Sequence, residues 1–180
     1  MLYKWLYHHY KSVLITMAQA QANKLLNQYS ADILEAVKNI ECTGKLKYYN
    51  RNLYTYVQVD NQFSTKAAEV LHPAGFKMVS WMRKKYSPMT HISTLNNYER
   101  DRVQRSRVYS TYRRWKNATI YFKIEAVEMW IKRDKETGGL KIVCCLKIRS
   151  NRIDFIREDL GWPAKSLYFN MHMTLCEKFL

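Results

Sequence analysis

The chain has 180 residues, 47% of them hydrophobic and 25% charged, enough to bury one sizeable core, which excludes a disordered or collagen-like chain. Lys and Arg total 30 against 15 Asp and Glu, a formal charge of +15, so anionic partners are favoured, with phosphate the leading candidate. The apolar runs are too short to cross a bilayer, which takes roughly 20 residues.

At the start, Lys4 and Lys11 precede Val13-Leu14-Ile15-Thr16-Met17-Ala18, and Ala18-Gln19-Ala20 imitates a signal-peptidase site. The apolar part is short, however, and runs on into an amphipathic pattern, so a cytoplasmic location is expected. Cys42, Cys144, Cys145 and Cys176 lack CxxC spacing and read as reduced thiols, not metal ligands. Leu14, Met17, Gln21, Leu25, Tyr29, Ile33, Val37 and Ile40 form an apolar stripe over one or two helices, with Ser30 a cap for a second piece and Gly44 a stop. This predicts a helical extension over residues 1–47 packed on a main domain over 48–180.

From Leu53 to Val59 the residues are mostly aromatic or β-branched, which predicts a strand, followed by a helix capped by Ser64 and broken at His72-Pro73-Ala74-Gly75. Further strands are predicted at Met89–Leu95, Ala118–Lys132, Leu140–Ile148 and Tyr168–Cys176. Glu99 to Lys116 reads as a charged connector, and Asn151 to Leu160 as a helix closed by Gly161-Trp162-Pro163. Both halves then follow strand, helix, Pro/Gly break, strand. That order predicts an α+β protein of two related lobes with antiparallel sheets around a central cleft.

His91-Ile92-Ser93 and His172-Met173-Thr174 each fall in a predicted closing strand. Residues i and i+2 share a strand face, so each imidazole has a hydroxyl beside it. Phosphoryl transfer needs a proton taken from an attacking oxygen and another given to a leaving oxygen, and imidazoles with pKa near 6.5 do both. The hydroxyls of Ser93 and Thr174 are suited to hold the non-bridging phosphate oxygens, with no metal or other cofactor required.

These motifs resemble those of the 2H phosphoesterase superfamily, whose two-lobed fold carries two His-x-Ser/Thr motifs on facing strands. The resemblance covers roughly Leu53 to Phe179, through Thr90-His91-Ile92-Ser93-Thr94-Leu95, Met171-His172-Met173-Thr174-Leu175 and the helix-end segment Ile156-Arg157-Glu158-Asp159-Leu160-Gly161-Trp162. It implies metal-independent phosphodiester cleavage by His91 and His172. The favoured substrate is a cyclic or 2'-5' linked oligonucleotide immune signal, as for virus-encoded members acting in the host cytoplasm. RNA end-processing of 2',3'-cyclic phosphates or RNA trimming is the second expectation, and a non-catalytic RNA-binding module the third.

Candidate base or phosphate contacts are Tyr54 and Tyr56 on the first strand, Trp81 and Arg83 ahead of the first motif, Arg113 and Trp115 in the basic segment, and Trp162 and Tyr168 before the second motif. Trp130 reads as core. The expected partner is a nucleotide, an oligonucleotide or RNA, with neither a membrane nor an obligate protein partner.

Overall fold

The structure is a computed structural model that describes residues 2–49, 54–79, 90–164 and 169–180, the side chains of residues 2–11 and of Tyr54 excepted. Its first element is one helix, α1 (Leu2–Val37), not two pieces: Ser30 lies inside it and caps nothing. Continuity follows from packing, because Ala22, Leu25, Ile33 and Val37 all enter one core. The chain then turns over residues 38–40 and enters strand β1 (Thr43–Tyr49), which spans the boundary expected between 47 and 48.

Gly44 is therefore no helix stop. It sits in β1 opposite Val59, where an added Cβ would lie 2.6 Å from the Gln58 carbonyl oxygen and 2.6 Å from Val57 Cγ1, so only glycine permits this close approach.

The remaining elements are β2 (Tyr54–Val59), α2 (Gln62–Leu71), β3 (Lys77–Met78), β4 (His91–Ser93), α3 (Asn97–Arg100), α4 (Arg105–Trp115), β5 (Thr119–Tyr121), β6 (Lys123–Arg133), β7 (Leu140–Arg149), α5 (Asn151–Asp159) and β8 (His172–Phe179). They form an α+β fold around a curled antiparallel sheet. Its strand order is β5-β1-β2-β4-β8-β7-β6, with β3 paired beside β4 along β8.

Residues 119–133 make one nearly unbroken passage that supplies both outer strands, β5 against β1 and β6 against β7. The two ends of the sheet therefore meet at Phe122.

One face of the sheet is covered by helices. Leu46, Val57, Ile92, Met173 and Leu146 point into a core shared with Leu25 and Ile33 of α1, Phe63 and Leu71 of α2, Val108 of α4, and Ile153 and Ile156 of α5. Each such side chain contributes about 1.5–3 kcal/mol on burial. Among the described residues no helix is long and apolar enough to cross a membrane.

Three local expectations are corrected. Ser64 does not cap α2, which begins two residues earlier; it is buried in the helix, its hydroxyl 2.7 Å from that of Thr90. The charged segment 99–116 is not a bare connector, because Val108 and Thr111 give α4 an apolar face despite its four arginines. The last strand runs on to Phe179, and Phe169 forms only an isolated bridge before it.

Helix α5 is as expected: the Ser150 hydroxyl caps Ile153 N–H, and Gly161 ends the turn at φ 87°.

Candidate active site

The two His-x-Ser/Thr motifs lie on adjacent strands of the one sheet, not on separate sheets facing across a gap. Strands β4 and β8 are antiparallel neighbours with Ile92 opposite Met173, both fully buried on the helix-covered face. One step either way along that register sets His91 beside Thr174 and Ser93 beside His172. Alternation sends these four half-buried residues to the open face. Two imidazoles and two hydroxyls thus occupy one patch at the middle of the sheet.

Neighbouring strands complete the patch. Gln58 and Tyr56 of β2 lie opposite His91 and Ser93, and Lys147 and Cys145 of β7 lie opposite His172 and Thr174. The Tyr56 ring meets His91 edge-on at 5.3 Å. Cys145 donates a weak hydrogen bond to the Thr174 hydroxyl at 3.8 Å, and burial pushes its thiol up to about 12, so it stays protonated and is no nucleophile.

His172 is held from several sides. Its Nδ1 is 2.7 Å from the Asn170 carbonyl oxygen, which only accepts, so Nδ1 carries the proton and Nε2 is the basic nitrogen of the neutral ring. Trp130 packs edge-on at 4.4 Å. One carboxylate oxygen of Glu128 accepts from Trp130 Nε1 at 3.0 Å and from Asn170 Nδ2 at 3.2 Å, tying the wall of the site to the loop that orients the imidazole.

Burial lowers the pKa of His172, and the positive charges of Lys132 and His91 lower it further, against the Asn170 hydrogen bond and Glu128. The ring is thus kept neutral near neutral pH. The unfolded chain, with an ordinary histidine value of 6.5, binds this proton more readily than the folded one. The stability this group contributes is complete above the unfolded value and lost as pH falls below it. Urea unfolding of the parent and of His172→Gln between pH 5 and 7.5 should show a decline below about pH 6.5 that the variant lacks; parallel curves would contradict the assignment.

Behind the first motif, Arg157 is fully buried and Glu99 almost so, at 2% exposure. The guanidinium donates to both Glu99 oxygens at 2.9 and 2.7 Å, to the Thr94 carbonyl at 2.8 Å and to the Pro163 carbonyl at 3.2 and 3.3 Å, and it stacks on Phe169 at 3.5 Å. It ties the end of β4 to α5 and to the chain entering β8.

Of the other expected contacts, Tyr56 reaches His91. Tyr54 opens the same strand. Arg113 and Trp115 do not join the patch, because α4 packs on the covered side through Tyr109 and Tyr112 against Tyr48. Arg113 lies over the Tyr109 ring, and Trp115 Nε1 donates to Asp159 at 2.7 Å. Trp162 packs on Tyr98, and its backbone N–H donates to the Arg157 carbonyl at the end of α5. Trp81, Arg83 and Tyr168 lie outside the described residues.

Trp130, expected in the core, is half-buried on the open face. The alternation of Glu128, Trp130 and Lys132 with Val127, Met129 and Ile131 was the available signal for that face. Nothing local marked Asn170, Glu99 or Arg157 as partners. Comparison with protein-family models, curated proteins and solved structures found no match to this chain.

Proposed function

We propose that this chain is a 2H-type phosphodiesterase that cleaves a nucleotide phosphodiester, its curled sheet corresponding to the two-lobed architecture of that superfamily. The observation that carries the reading is the four-residue patch, in which paired strands β4 and β8 bring two imidazoles and two hydroxyls onto one open face. His172 is the base: its neutral ring takes the proton of the attacking water or ribose hydroxyl on Nε2. His91, as imidazolium, gives a proton to the leaving oxygen. The Ser93 and Thr174 hydroxyls donate to the non-bridging oxygens and fix the phosphorus between the rings.

Tyr56 beside His91 and Trp130 beside His172 offer ring surface for bases on both sides. Together with the +15 charge they favour a compact cyclic or 2'-5' linked oligonucleotide over an uncharged ester. The test is incubation of the purified protein, with EDTA present, against cyclic dinucleotides and trinucleotides, 2'-5' oligoadenylate and 2',3'-cyclic-phosphate RNA. Chelator-resistant turnover of at least one is expected, with a cyclic or 2'-5' linked substrate fastest. Preference for the RNA end would reassign the protein to RNA processing. Turnover of none would leave the nucleic-acid-binding module.

A further inference from the structure

Where the two ends of the sheet meet, the surface holds a cavity of about 760 Å³ lined by Thr43, Tyr121, Lys123, Arg149 and Arg152 among others. We infer that this cavity is a second nucleotide subsite, binding a phosphate of a single-stranded oligonucleotide between Lys123 and Arg149 and stacking its base on Tyr121. The inference deepens the phosphodiesterase reading and rests on it for the position of the scissile phosphate. It assigns a substrate longer than one nucleotide.

Three observations support it. Lys123 and Arg149 are directly opposed in the β6–β7 ladder, an arrangement that repels in the absence of an anion. Both are exposed, and among the described residues neither has a carboxylate within ion-pair distance. Among the described residues Glu41 is the one acidic group lining the cavity, so its charge is positive even against that carboxylate.

Tyr121 is 57% exposed, with the Arg152 guanidinium 5.5 Å from its ring centre, a ring-and-cation wall against which a base can stack. This wall is fixed: Arg152 donates to the Thr119 carbonyl at 2.8 Å, and the Ser150 hydroxyl donates to the Tyr121 carbonyl at 2.6 Å.

Strand β7 links the cavity to the histidine patch. Lys147, opposite His172, and Arg149 are two apart on β7 and share the open face, about 7 Å along the strand. Lys147 is partly offset by Glu125 at 3.7 Å, which leaves Arg149 and Lys123 as the stronger anion site one step further along. A strand with a phosphate at the histidines therefore meets a further pair of positive charges here.

The test measures Kd for fluorescein-labelled hexauridylate against salt concentration, in a His91→Ala/His172→Ala background that removes turnover. Adding Lys123→Ala and Arg149→Ala should raise Kd by about tenfold at low salt and reduce the magnitude of the log–log salt slope by about 0.7, as for one lost phosphate contact on a single strand. Tyr121→Ala, at an exposed position, should raise Kd severalfold with an unchanged slope, and the swap Lys123→Arg with Arg149→Lys should restore parental binding.

An unchanged Kd in Tyr121→Ala, or an unchanged slope in a folded double variant, would overturn the subsite. So would displacement of hexauridylate by polyglutamate at equal charge concentration, which would make the cavity a site for acidic protein. The two readings fail separately: loss of binding on these substitutions, with no turnover by the parent protein, keeps the subsite and removes the catalysis. Turnover with binding unaffected does the reverse.

Discussion

Replacing His172 or His91 with alanine is expected to lower kcat on the best phosphodiester substrate by about 10²–10⁴-fold each, the usual contribution of a positioned acid or base. Both rings belong to one proton-transfer step, so the double variant should fall little further than the worse single one. Ser93→Ala and Thr174→Ala should each cost about 10²–10³-fold, as loss of one donor to a developing charge does. Folding should survive all four substitutions, because these side chains are half-exposed and the buried residues between them, Ile92 and Met173, are untouched.

The pH profile adds a readout that a structural role would not move. Removing the base proposed at His172, whose pKa is lowered by burial, should abolish the acidic limb of kcat/KM. Single-turnover assays from pH 5 to 9 measure this, and turnover undiminished by His172→Ala would exclude the mechanism.

Arg157→Met is expected to cost about 3–5 kcal/mol of folding stability, since it leaves the Glu99 carboxylate buried without its partner. The figure is large because all five N–H groups of the guanidinium are used, and because Glu99 also closes the α3 capping box by accepting from Asn96 N–H at 3.0 Å. Arg157→Lys should recover little, as an ammonium cannot reproduce the bidentate fork or the stack on Phe169.

The double variant Arg157→Met/Glu99→Leu should recover part of the loss, because no buried charge is then stranded. Equilibrium urea unfolding measures all three. A cost below about 1 kcal/mol for Arg157→Met would show the pair to be incidental. Since Arg157 also holds the Thr94 carbonyl, one residue past Ser93, any folded Arg157→Lys protein should also turn over substrate more slowly.

Much of the candidate site was legible because its chemistry is local. His-x-Ser and His-x-Thr in β-prone stretches place imidazole and hydroxyl on one face by the two-residue strand period. The broad order of strands and helices after residue 53 was readable from the same periodicity.

The misses share a cause. Strand β1 carries its signal in the alternation of Lys45 and Lys47 with Leu46 and Tyr48, but the preceding apolar stripe ran up to it and hid the change of period. Segment 99–116 was outweighed by its charge, although Val108 and Thr111 bury one face of α4. Trp130 reads as core by residue type alone, whereas the alternation around it places it on the open face.

By itself the sequence determined which groups are available: two histidines each with a hydroxyl two residues on, a large positive charge and many rings. Only the tertiary structure decided that β4 lies against β8, that Trp130 and Asn170 enclose His172, and that Arg157 reaches Glu99 across 58 positions of chain. The reason is that face-sharing follows from the backbone geometry of a few consecutive residues, whereas strand pairing and ring contacts are settled by which distant surfaces bury best together.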